Sequence, residues 1–314
     1  MKKWIALFLA VIMTVALFAC GKAEAPAEAP AEAPAAEAPA ETPAEEKITT
    51  INEGKLTVAT SPDFAPYEFY SVDENGKATL AGFEMALAQY IADYLKLELE
   101  VIPMDFDGTL MELQNKTVDL GMAGYSPKPE REEFMDFSDI FYTGGQSFVC
   151  TQENKDKFAT LEDTNKAEYS IGAQIGSIQV DLAKKNSPDA DIVELTKVTD
   201  IIAELISGKL AGAYIETAVA ETYAKNYPEL CVVLPVPYEA EGSVVGVFKG
   251  NEALLKGVNE AIAAAIADGS MDQFVADANE AAGGNIIEGL LDAQQAPAEA
   301  PQAVVEPAPE KAAG

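Results

Sequence analysis

The sequence predicts an α/β protein whose folded part consists of two successive series of strands and helices. The 314-residue chain has low-complexity segments rich in Ala, Pro and Glu near both ends. They leave a middle of about 245 residues, which is enough for one large domain or two lobes. In this middle, short apolar runs alternate with amphipathic stretches, and the pair Gly144 and Gly145 separates a first series from a second.

The first series begins with an apolar run and continues with alternating elements. A helical apolar stripe places Phe83, Leu87, Tyr90, Ile91 and Tyr94 on one face. The predicted elements are strands over residues 55–60, 97–103 and 119–123 and helices over residues 82–95 and 108–116. This alternation is typical of a parallel sheet covered by helices.

The second series follows Gly144 and Gly145 and has the same character. Its predicted strands cover residues 146–151, 170–173, 212–215, 231–237 and 243–248. Its predicted helices cover residues 177–185, 200–207, 217–225, 254–267 and 271–278. Two α/β series in one chain favour two lobes, and ligands of such sheets bind in the crevice beyond the carboxyl ends of the strands.

The segment GMAGYSPKPER, residues 121–131, predicts a site for a small anion. Pro127 and Pro129 suit the entry to a helix whose first turn holds Arg131, and backbone N–H groups at a helix start have no internal partner. Such groups attract an anion, and an arginine can clamp a carboxylate through two parallel hydrogen bonds. On these residues alone, a solvated arginine on a capped surface helix is the simpler interpretation.

The beginning of the chain has the architecture of an export signal. Two lysines precede an apolar run that is too short for a stable membrane span, so residues 1–19 are predicted to be a signal peptide. The end of the run resembles the lipobox of bacterial lipoproteins, which implies that Cys20 is lipidated with acyl chains such as palmitate. Two or more acyl chains on Cys20 would anchor the protein at the outer face of the cell membrane.

Two low-complexity segments flank the predicted folded part. Residues 20–47 form a tether after the lipidated cysteine and residues 293–314 form a similar tail. Neither segment can bury enough apolar surface to fold, so both are predicted to be disordered. The net charge of −31 disfavours nucleic acid as a partner.

Cys150 and Cys231 are the cysteines that remain after Cys20. An exported chain permits a disulfide, but the sequence leaves their proximity open, and two buried free thiols are the favoured interpretation. The chain has no histidine and no CxxC motif, so zinc sites and His-based catalytic triads lack their usual parts. No cofactor, metal ligand or catalytic residue is predicted.

Several segments resemble the polar-amino-acid-binding proteins of ABC importers, close in pattern to the glutamine- and histidine-binding members. The matching segments are ATSPDFAPYEF (59–69), GFEMALAQYIA (82–92), PMDFDGTLMELQNKTVDLGMAGYSPKPEREEFMDFSDIFY (103–142), IGAQIGS (171–177) and GAYIET (212–217). The resemblance implies a type II periplasmic-binding-protein-like fold, with lobes joined by two hinge strands. The implied division is residues 48–145 plus 242–292 for lobe 1 and residues 146–241 for lobe 2.

The resemblance also implies roles for residues of lobe 1. Ser126 would donate to the carboxylate of an amino acid, Arg131 would clamp that carboxylate, and Gly124 would offer its carbonyl to the ammonium group. Phe64 and Phe106 would line or cover the ligand side chain, and core aromatic residues are the alternative for both.

Ser61 and Tyr125 are predicted ligand-binding positions at which the chain departs from the family pattern. Ser61 stands where binders of cationic amino acids often carry Asp, which argues against Lys, Arg or His as ligand unless Asp63 or Glu216 compensates. Tyr125 is unusually large for the Gly-x-Ser turn. It either narrows the pocket or packs outside it.

In lobe 2 the resemblance implies a second set of ligand-binding residues. Gly176 and Ser177, with Gln174 just before them, match a turn at a helix N-terminus that donates to the carboxylate. Glu216 stands where the family has an aspartate that pairs with the ligand ammonium. A solvated glutamate at the end of a strand is the alternative.

The implied function is capture of an amino acid by hinge closure and its delivery to the permease and ATPase subunits of an ABC importer. A monomeric, extracytoplasmic, lipid-anchored protein without enzymatic activity is expected. Two alternatives stay open. One is a cyclohexadienyl or arogenate dehydratase-like enzyme with Glu216 as general acid, and the other is a ligand-sensing receptor module.

Overall fold

The computed structural model describes residues 47–72, 77–239 and 242–283. The predictions of a signal peptide, of lipidation at Cys20, of the tether up to Glu46 and of the C-terminal tail concern residues outside these ranges. Within the described ranges, no helix is long and apolar enough to cross a membrane.

Strands and helices alternate along most of the described chain. In chain order the strands are β1 (Lys55–Thr60), β2 (Asp63–Phe64), β3 (Glu68–Val72), β4 (Ala78–Ala81), β5 (Glu98–Pro103), β6 (Leu120–Gly121), β7 (Met135–Phe137), β8 (Gln146–Thr151), β9 (Ser170–Gln174), β10 (Asp191–Leu195), β11 (Gly212–Glu216), β12 (Leu230–Pro235) and β13 (Gly246–Phe248). The α-helices are α1 (Phe83–Leu95), α2 (Phe106–Asn115), α3 (Ile178–Asn186), α4 (Val198–Ile206), α5 (Thr217–Asn226), α6 (Glu252–Ala267) and α7 (Ser270–Ala282). The helices predicted in the two series are confirmed, with bounds that differ by a few residues.

The first sheet has the strand order β5-β1-β6-β13-β7. Strand β1 pairs in parallel with β5 and β6, whereas β13 pairs antiparallel with β6 and β7. Because β13 follows all strands of the second sheet in the sequence, the chain returns to the first sheet after it has built the second.

The second sheet has the strand order β10-β9-β11-β8-β12. Strand β9 pairs in parallel with β10 and β11, whereas β8 pairs antiparallel with β11 and β12. Both sheets are therefore mixed, and the prediction of parallel sheets is wrong for β8 and β13. The chain enters β8 directly from the first sheet and β13 directly from the second sheet. Neither entry needs the crossover connection that joins parallel neighbours. Each of the two strands therefore runs opposite to the two strands between which it inserts.

Two segments connect the sheets, residues 138–145 before β8 and residues 236–245 before β13, and Tyr142 and Ser243 in them form an antiparallel bridge. Strands β1 to β7 precede the first segment, β8 to β12 lie between the two segments, and β13 follows the second. We therefore propose the two-lobe division that the resemblance implies. Below, lobe 1 means the described residues of 48–145 and 242–292, and lobe 2 means those of 146–241.

Several elements of lobe 1 differ from the prediction, and the short strand β7 is one that was not predicted. The segment after Pro127 forms a 3-10 helix over Pro129–Glu133 instead of an α-helix, because β7 begins at Met135 and leaves room for little more than one turn. The predicted strand over residues 119–123 is reduced to β6. The small antiparallel sheet of β2, β3 and β4 is not predicted, since strands this short carry little periodicity.

The core of lobe 1 holds the sheet against its helices. Of the predicted apolar stripe of α1, Tyr94 is 45% exposed and Tyr90 is partly exposed, whereas Phe83, Leu87 and Ile91 are fully buried. Burial of such a side chain contributes about 1.5–3 kcal/mol. This packing fixes the carboxyl ends of β1, β5 and β6, from which the loops of the candidate site begin.

Candidate functional site

The predicted site residues follow the carboxyl ends of parallel strands in both sheets. In lobe 1, β1 ends just before Ser61 and β6 leads into the loop that carries Ser126. In lobe 2, β9 ends at Gln174 and β11 ends at Glu216. A crevice at such strand ends is where a ligand is expected in an α/β protein.

A small cavity lies between the two lobes at this place. Its lining residues are Phe64, Phe106, Gly124, Ser126 and Arg131 from lobe 1 and Gln174, Ser177, Ile178 and Gln179 from lobe 2. The structure thus brings together most of the predicted ligand-binding residues. The remaining ones, Ser61, Tyr125, Gly176 and Glu216, are not among those that line the cavity.

Arg131 is a buried cation at the junction of the two lobes. Its side chain is only 4% exposed. Nη1 donates to the carbonyl oxygen of Ser126 at 3.0 Å, and Nη2 donates to the carbonyl oxygen of Gly176 in lobe 2 at 3.1 Å. The guanidinium carbon lies 5.6 Å from the ring centre of Phe106 and 5.5 Å from that of Tyr125. Burial lowers the pKa of Arg131.

No carboxylate in the described ranges forms an ion pair with Arg131. An unpaired buried charge costs several kcal/mol, and an arginine side chain keeps its proton. The two carbonyl oxygens satisfy part of the guanidinium without neutralising it. The site is therefore suited to bind an anion, and a guanidinium binds a carboxylate through paired hydrogen bonds.

The first turn of α3 supplies hydrogen-bond donors on the lobe 2 side of the cavity. Ser177 is the N-cap residue, and its hydroxyl donates to the carbonyl oxygen of Gln174 at 2.6 Å. Gly176 has φ of +76°, in the left-handed region, and its carbonyl accepts from Arg131. Backbone N–H groups in a first helical turn have no intrahelical acceptor, and the helix dipole favours an anion there.

Ile178 and Gln179 are cavity-lining residues that the sequence interpretation missed. Both directly follow Ser177, so the free N–H groups of the predicted helix start were the signal that points to them. Gln179 Nε2 also donates to Gln146 Oε1 at 2.8 Å, and both side chains are buried. The hydrogen bond between these two side-chain amides joins α3 to the start of β8.

Phe64 and Phe106 form the aromatic walls of the cavity. Both rings are buried, and Phe106 also packs edge-on against Tyr125. Gly124, with φ of +61°, lies directly against Phe64, and a Cβ atom at Gly124 would be 2.6 Å from Phe64 Cε1. The close approach of the loop to this ring therefore requires glycine.

Behind Gly124 lies a buried pair of carboxyl groups, Glu68 and Glu84, which the sequence interpretation did not single out. Glu84 Oε1 accepts the backbone N–H of Gly124 at 3.0 Å. Glu84 Oε2 and both carboxyl oxygens of Glu68 have no hydrogen-bond partner in the described part of the chain. Burial raises the pKa of Glu84 to about 7, and burial together with the charge of Glu84 raises the pKa of Glu68 well above its usual range. The pair is therefore a proton-binding element behind the cavity.

Asp63 joins the two lobes. Its Oδ2 accepts the backbone N–H of Val198, the first residue of α4, at 2.6 Å and Gln174 Nε2 at 3.3 Å. Its Oδ1 accepts the hydroxyl of Ser61 at 2.8 Å. Burial raises the pKa of Asp63 to about 6. An acidic side chain thus lies beside the cavity, two positions after Ser61.

Glu216 caps α5 and is not a lining residue of the cavity. Its side chain is 4% exposed, so the alternative of a solvated glutamate is wrong. Oε2 accepts the N–H of Val219 at 2.9 Å, and Oε1 accepts the N–H of Gly145 at 3.2 Å. Burial raises the pKa of Glu216 to about 7. The carboxylate ties α5 to the segment between the lobes, and its pairing with a ligand ammonium stays a prediction.

Tyr125 lies in the core of lobe 1, beneath Arg131. Its ring is fully buried, and its hydroxyl donates to Thr109 Oγ1 at 2.5 Å. Burial raises the pKa of this hydroxyl, so it remains a hydrogen-bond donor. Of the two alternatives for Tyr125, the structure has the ring packed outside the cavity.

This fold and this site define a class of protein, the two-lobed solute-binding proteins. The defining features are a buried cation in one lobe and a helix N-terminus in the other, on opposite sides of a cavity between two α/β sheets. The chain belongs to the bacterial extracellular solute-binding proteins, family 3, whose model matches residues 56–277.

Individual relatives agree with this family. The arginine-binding extracellular protein ArtP of Bacillus subtilis is 30% identical over 256 residues, which cover 80% of this chain and 88% of ArtP. The crystal structure of the amino acid ABC transporter substrate-binding protein AbpA from Streptococcus pneumoniae, bound to L-arginine, is 32% identical, has a TM-score of 0.70, and covers 73% of this chain and 96% of AbpA. Cyclohexadienyl dehydratase of Pseudomonas aeruginosa is 26% identical over 185 residues, which cover 59% of this chain and 68% of the dehydratase. The predicted type II fold and the predicted role as substrate-binding component of an amino acid ABC importer are confirmed.

Proposed function

We propose that the protein holds the α-carboxylate of an amino acid between Arg131 and the first turn of α3. The observation that carries this proposal is the buried guanidinium of Arg131, which forms no ion pair within the described ranges and bonds to the turn before α3. An incoming carboxylate would neutralise the guanidinium and accept the free N–H groups of Ile178 and Gln179. Ser126, which also lines the cavity, is placed to add a donor, whereas the N–H and the hydroxyl of Ser177 both donate to the carbonyl oxygen of Gln174.

The α-ammonium group of the ligand would lie on the side of Gly124. The carbonyl of Gly124 is its first proposed acceptor, and the N–H of the same residue is already held by Glu84. Glu216 is the second proposed partner. To reach the ammonium, its Oε1 would give up the N–H of Gly145, the longer of its two hydrogen bonds to backbone.

Closure of the lobes is the proposed means of capture. Contacts between the lobes include the hydrogen bonds of Arg131 with Gly176 and of Asp63 with Val198, and the ion pairs Lys128–Asp181 at 2.5 Å and Lys197–Asp105 at 3.8 Å. A ligand that touches both lobes binds the closed form more tightly than the open form and shifts the population toward it. A permease that recognises the closed form would then receive the ligand.

The aromatic lining of the cavity favours a ligand with a cationic side chain. The rings of Phe64 and Phe106 line the cavity, and aromatic faces attract cations. Asp63 supplies the acidic group that Ser61 lacks. ArtP is named as arginine-binding and AbpA was crystallised with L-arginine, so L-arginine is the ligand we propose to test first.

Isothermal titration calorimetry of the purified protein tests this proposal. L-Arginine is expected to bind with a dissociation constant in the micromolar range or below, which corresponds to a binding free energy of about −8 kcal/mol or stronger. L-Glutamine, L-histidine and L-cystine are titrated as alternative ligands. Agmatine, which is arginine without its carboxylate, is expected to bind at least roughly thirty-fold more weakly. Equal binding of agmatine and arginine would overturn the role of Arg131, and binding of no amino acid would overturn the proposed function.

A second candidate function is a dehydratase activity, for which the buried Glu216 is the supporting observation. A carboxyl group whose pKa is raised to about 7 can act as a general acid near neutral pH, and a cyclohexadienyl dehydratase is among the relatives. Glu216 does not line the cavity, and the described residues that do include no carboxylic acid or other side chain suited to general acid–base catalysis, which favours binding without turnover. Incubation with prephenate and arogenate decides the matter, because formation of product would establish the enzyme.

We further propose that the mature chain is a monomeric lipoprotein anchored through Cys20 outside the cell membrane. The supporting observations are the apolar run before Cys20 and the extracellular location of the family. Metabolic labelling with a palmitate analogue should mark the wild-type protein and not a Cys20→Ala variant. Label on the variant would contradict the proposed anchor.

A further inference from the structure

Cys150 and Cys231 lie opposite each other in the second sheet. Strands β8 and β12 are antiparallel, and their register pairs Cys150 directly with Cys231. Residues opposite each other in an antiparallel ladder have Cα atoms about 4.5–5.5 Å apart, within the range that a disulfide spans. The two Sγ atoms are 3.9 Å apart, so small rotations of both side chains would bring them to bonding distance.

The two thiols differ in access and share a cationic neighbourhood. Cys150 is fully buried, whereas Cys231 is half-buried and therefore the one that a reagent reaches first. Burial raises the pKa of both thiols, and the charges of Lys157 and Lys155, from the turn after β8, act in the opposite direction. Exchange requires the thiolate, so these raised pKa values make the reaction faster at alkaline pH than at neutral pH.

The position of the pair gives a disulfide a definite structural effect. Strand β12 is an edge strand that pairs only with β8 in the second sheet, and it is the last strand before the chain returns to lobe 1. The two cysteines are 81 positions apart, and the other strands and all helices of lobe 2 lie between them. A bond between them would close nearly the whole of lobe 2 into one covalent ring.

We propose that Cys150 and Cys231 form an intramolecular disulfide under oxidising conditions and that this bond fastens the edge strand β12 to β8. The chain belongs to a family of extracellular proteins, and disulfides persist outside the cell. This inference does not depend on the identity of the ligand.

The oxidation proceeds by thiol–disulfide exchange with an external disulfide. The thiolate of Cys231 attacks one sulfur of oxidised glutathione, the glutathione S–S bond breaks, and one reduced glutathione leaves and takes up a proton. The thiolate of Cys150 then attacks the sulfur of Cys231, and the second glutathione leaves in the same way. The two cysteines lose two electrons and two protons, and oxidised glutathione is reduced to two thiols.

Peptide mapping of the full chain tests the bond directly. The reduced protein is treated with oxidised glutathione, remaining thiols are blocked with iodoacetamide, and the protein is digested with trypsin without reductant. The expected product is a disulfide-linked pair of the peptides 132–155 and 226–249, which separates on reduction. Recovery of both peptides in alkylated form, or with glutathione on Cys231 only, would overturn the proposal.

Thermal unfolding tests the structural effect. Closing a loop of this length in the unfolded chain is expected to raise the midpoint of the wild-type protein by about 5–10 °C on oxidation. The matched variants Cys150→Ser and Cys231→Ser each lack one thiol, and their midpoints should not rise with oxidant. A linked peptide without a rise in the wild-type midpoint would refute the fastening of β12, as would a rise in either variant.

Discussion

Two buried charged regions of lobe 1 differ in what they can bind. The guanidinium of Arg131 faces the cavity and meets lobe 2, so the anion of a ligand can reach it. Glu68 and Glu84 lie behind Gly124 with no exposed surface, so a proton is what they can take up. The difference teaches that burial alone does not identify a ligand site. Access from the cleft between the lobes distinguishes a group that binds ligand from one that binds protons.

Replacement of Arg131 by alanine is the strongest test of the ligand-binding side of this comparison. Removal of one partner of a buried charge pair costs about 2–5 kcal/mol, so Arg131→Ala should weaken amino acid binding roughly thirty-fold or more in calorimetry. Lys184→Ala is the control, because Lys184 is an exposed cation paired with Glu194 and should leave affinity within about twofold. Unchanged affinity in Arg131→Ala would show that Arg131 does not bind the ligand carboxylate.

Replacement of Glu84 by glutamine tests whether the pair of Glu68 and Glu84 binds a proton in the folded protein. The folded-state pKa of Glu84 is raised from 4.5 to about 7, so the folded protein holds this proton more tightly than the unfolded chain does. The free energy of unfolding therefore falls as pH rises from about 4.5 to 7, by an amount on the order of 3 kcal/mol for this group. Asp63 and Glu216 contribute with the same sign, since burial raises their pKa values too.

In the Glu84→Gln variant, the decrease in unfolding free energy between pH 5 and 8 should be smaller than in the wild type. Urea denaturation at several pH values measures this slope. Glu280→Gln, which changes an exposed glutamate of α7, is the matched control and should keep the wild-type slope. A wild-type stability that rises over this range would contradict the assignment of a proton to the pair.

Two glycine substitutions sharpen the boundary between the regions. Gly124 and Gly176 both have positive φ, so alanine at either position brings backbone strain of about 1–2 kcal/mol. At Gly124 the new Cβ would also meet Phe64 at 2.6 Å, whereas at Gly176 the nearest atom is 3.6 Å away. Gly124→Ala should therefore lower the unfolding free energy by about 1–3 kcal/mol more than Gly176→Ala in urea denaturation. Equal losses would show that Phe64 moves freely.

Replacement of Asp63 has the smallest expected effect on ligand binding. It tests lobe closure specifically, because Asp63 joins the lobes without lining the cavity. Asp63→Ala should favour the open form and weaken ligand binding about tenfold, which corresponds to about 1.4 kcal/mol. Small-angle scattering should show a larger radius of gyration for the ligand-free variant. Asp105→Ala, which removes the exposed contact of Asp105 with Lys197 at 3.8 Å, should change affinity by less than about threefold. A similar effect in both variants would remove the special role of Asp63.

Much of the fold was predictable because it depends on short-range patterns. The helices α1 to α7 each carry an apolar stripe with helical periodicity, and the strands β1, β5 and β8 are apolar runs. Short strands such as β2, β4 and β7 carry no such pattern and were not predicted. The strand order could not be predicted from the sequence either, because the positions of β8 and β13 in their sheets depend on where the chain crosses between the lobes.

The candidate site was predictable where function depends on residues at the ends of elements. Arg131, Ser126 and Ser177 stand in turns marked by Pro and Gly, and all three line the cavity. Ser61 and Glu216 lie outside the cavity lining because each side chain has a partner elsewhere, and their contact with a ligand stays a prediction. Ser61 donates to Asp63, and Glu216 accepts from the start of its own helix.

Local periodicity and turn residues encode the α/β class, the positions of the helices and the residues at the carboxyl ends of the strands, so these features could be predicted from the sequence. The tertiary structure alone decided three pairings: Asp63 with Val198, Glu68 with Glu84, and Cys150 with Cys231. Sheet order, the packing of helices on sheets and contact between the lobes set these distances. A contact between residues far apart in the chain leaves no periodic signal in the local sequence.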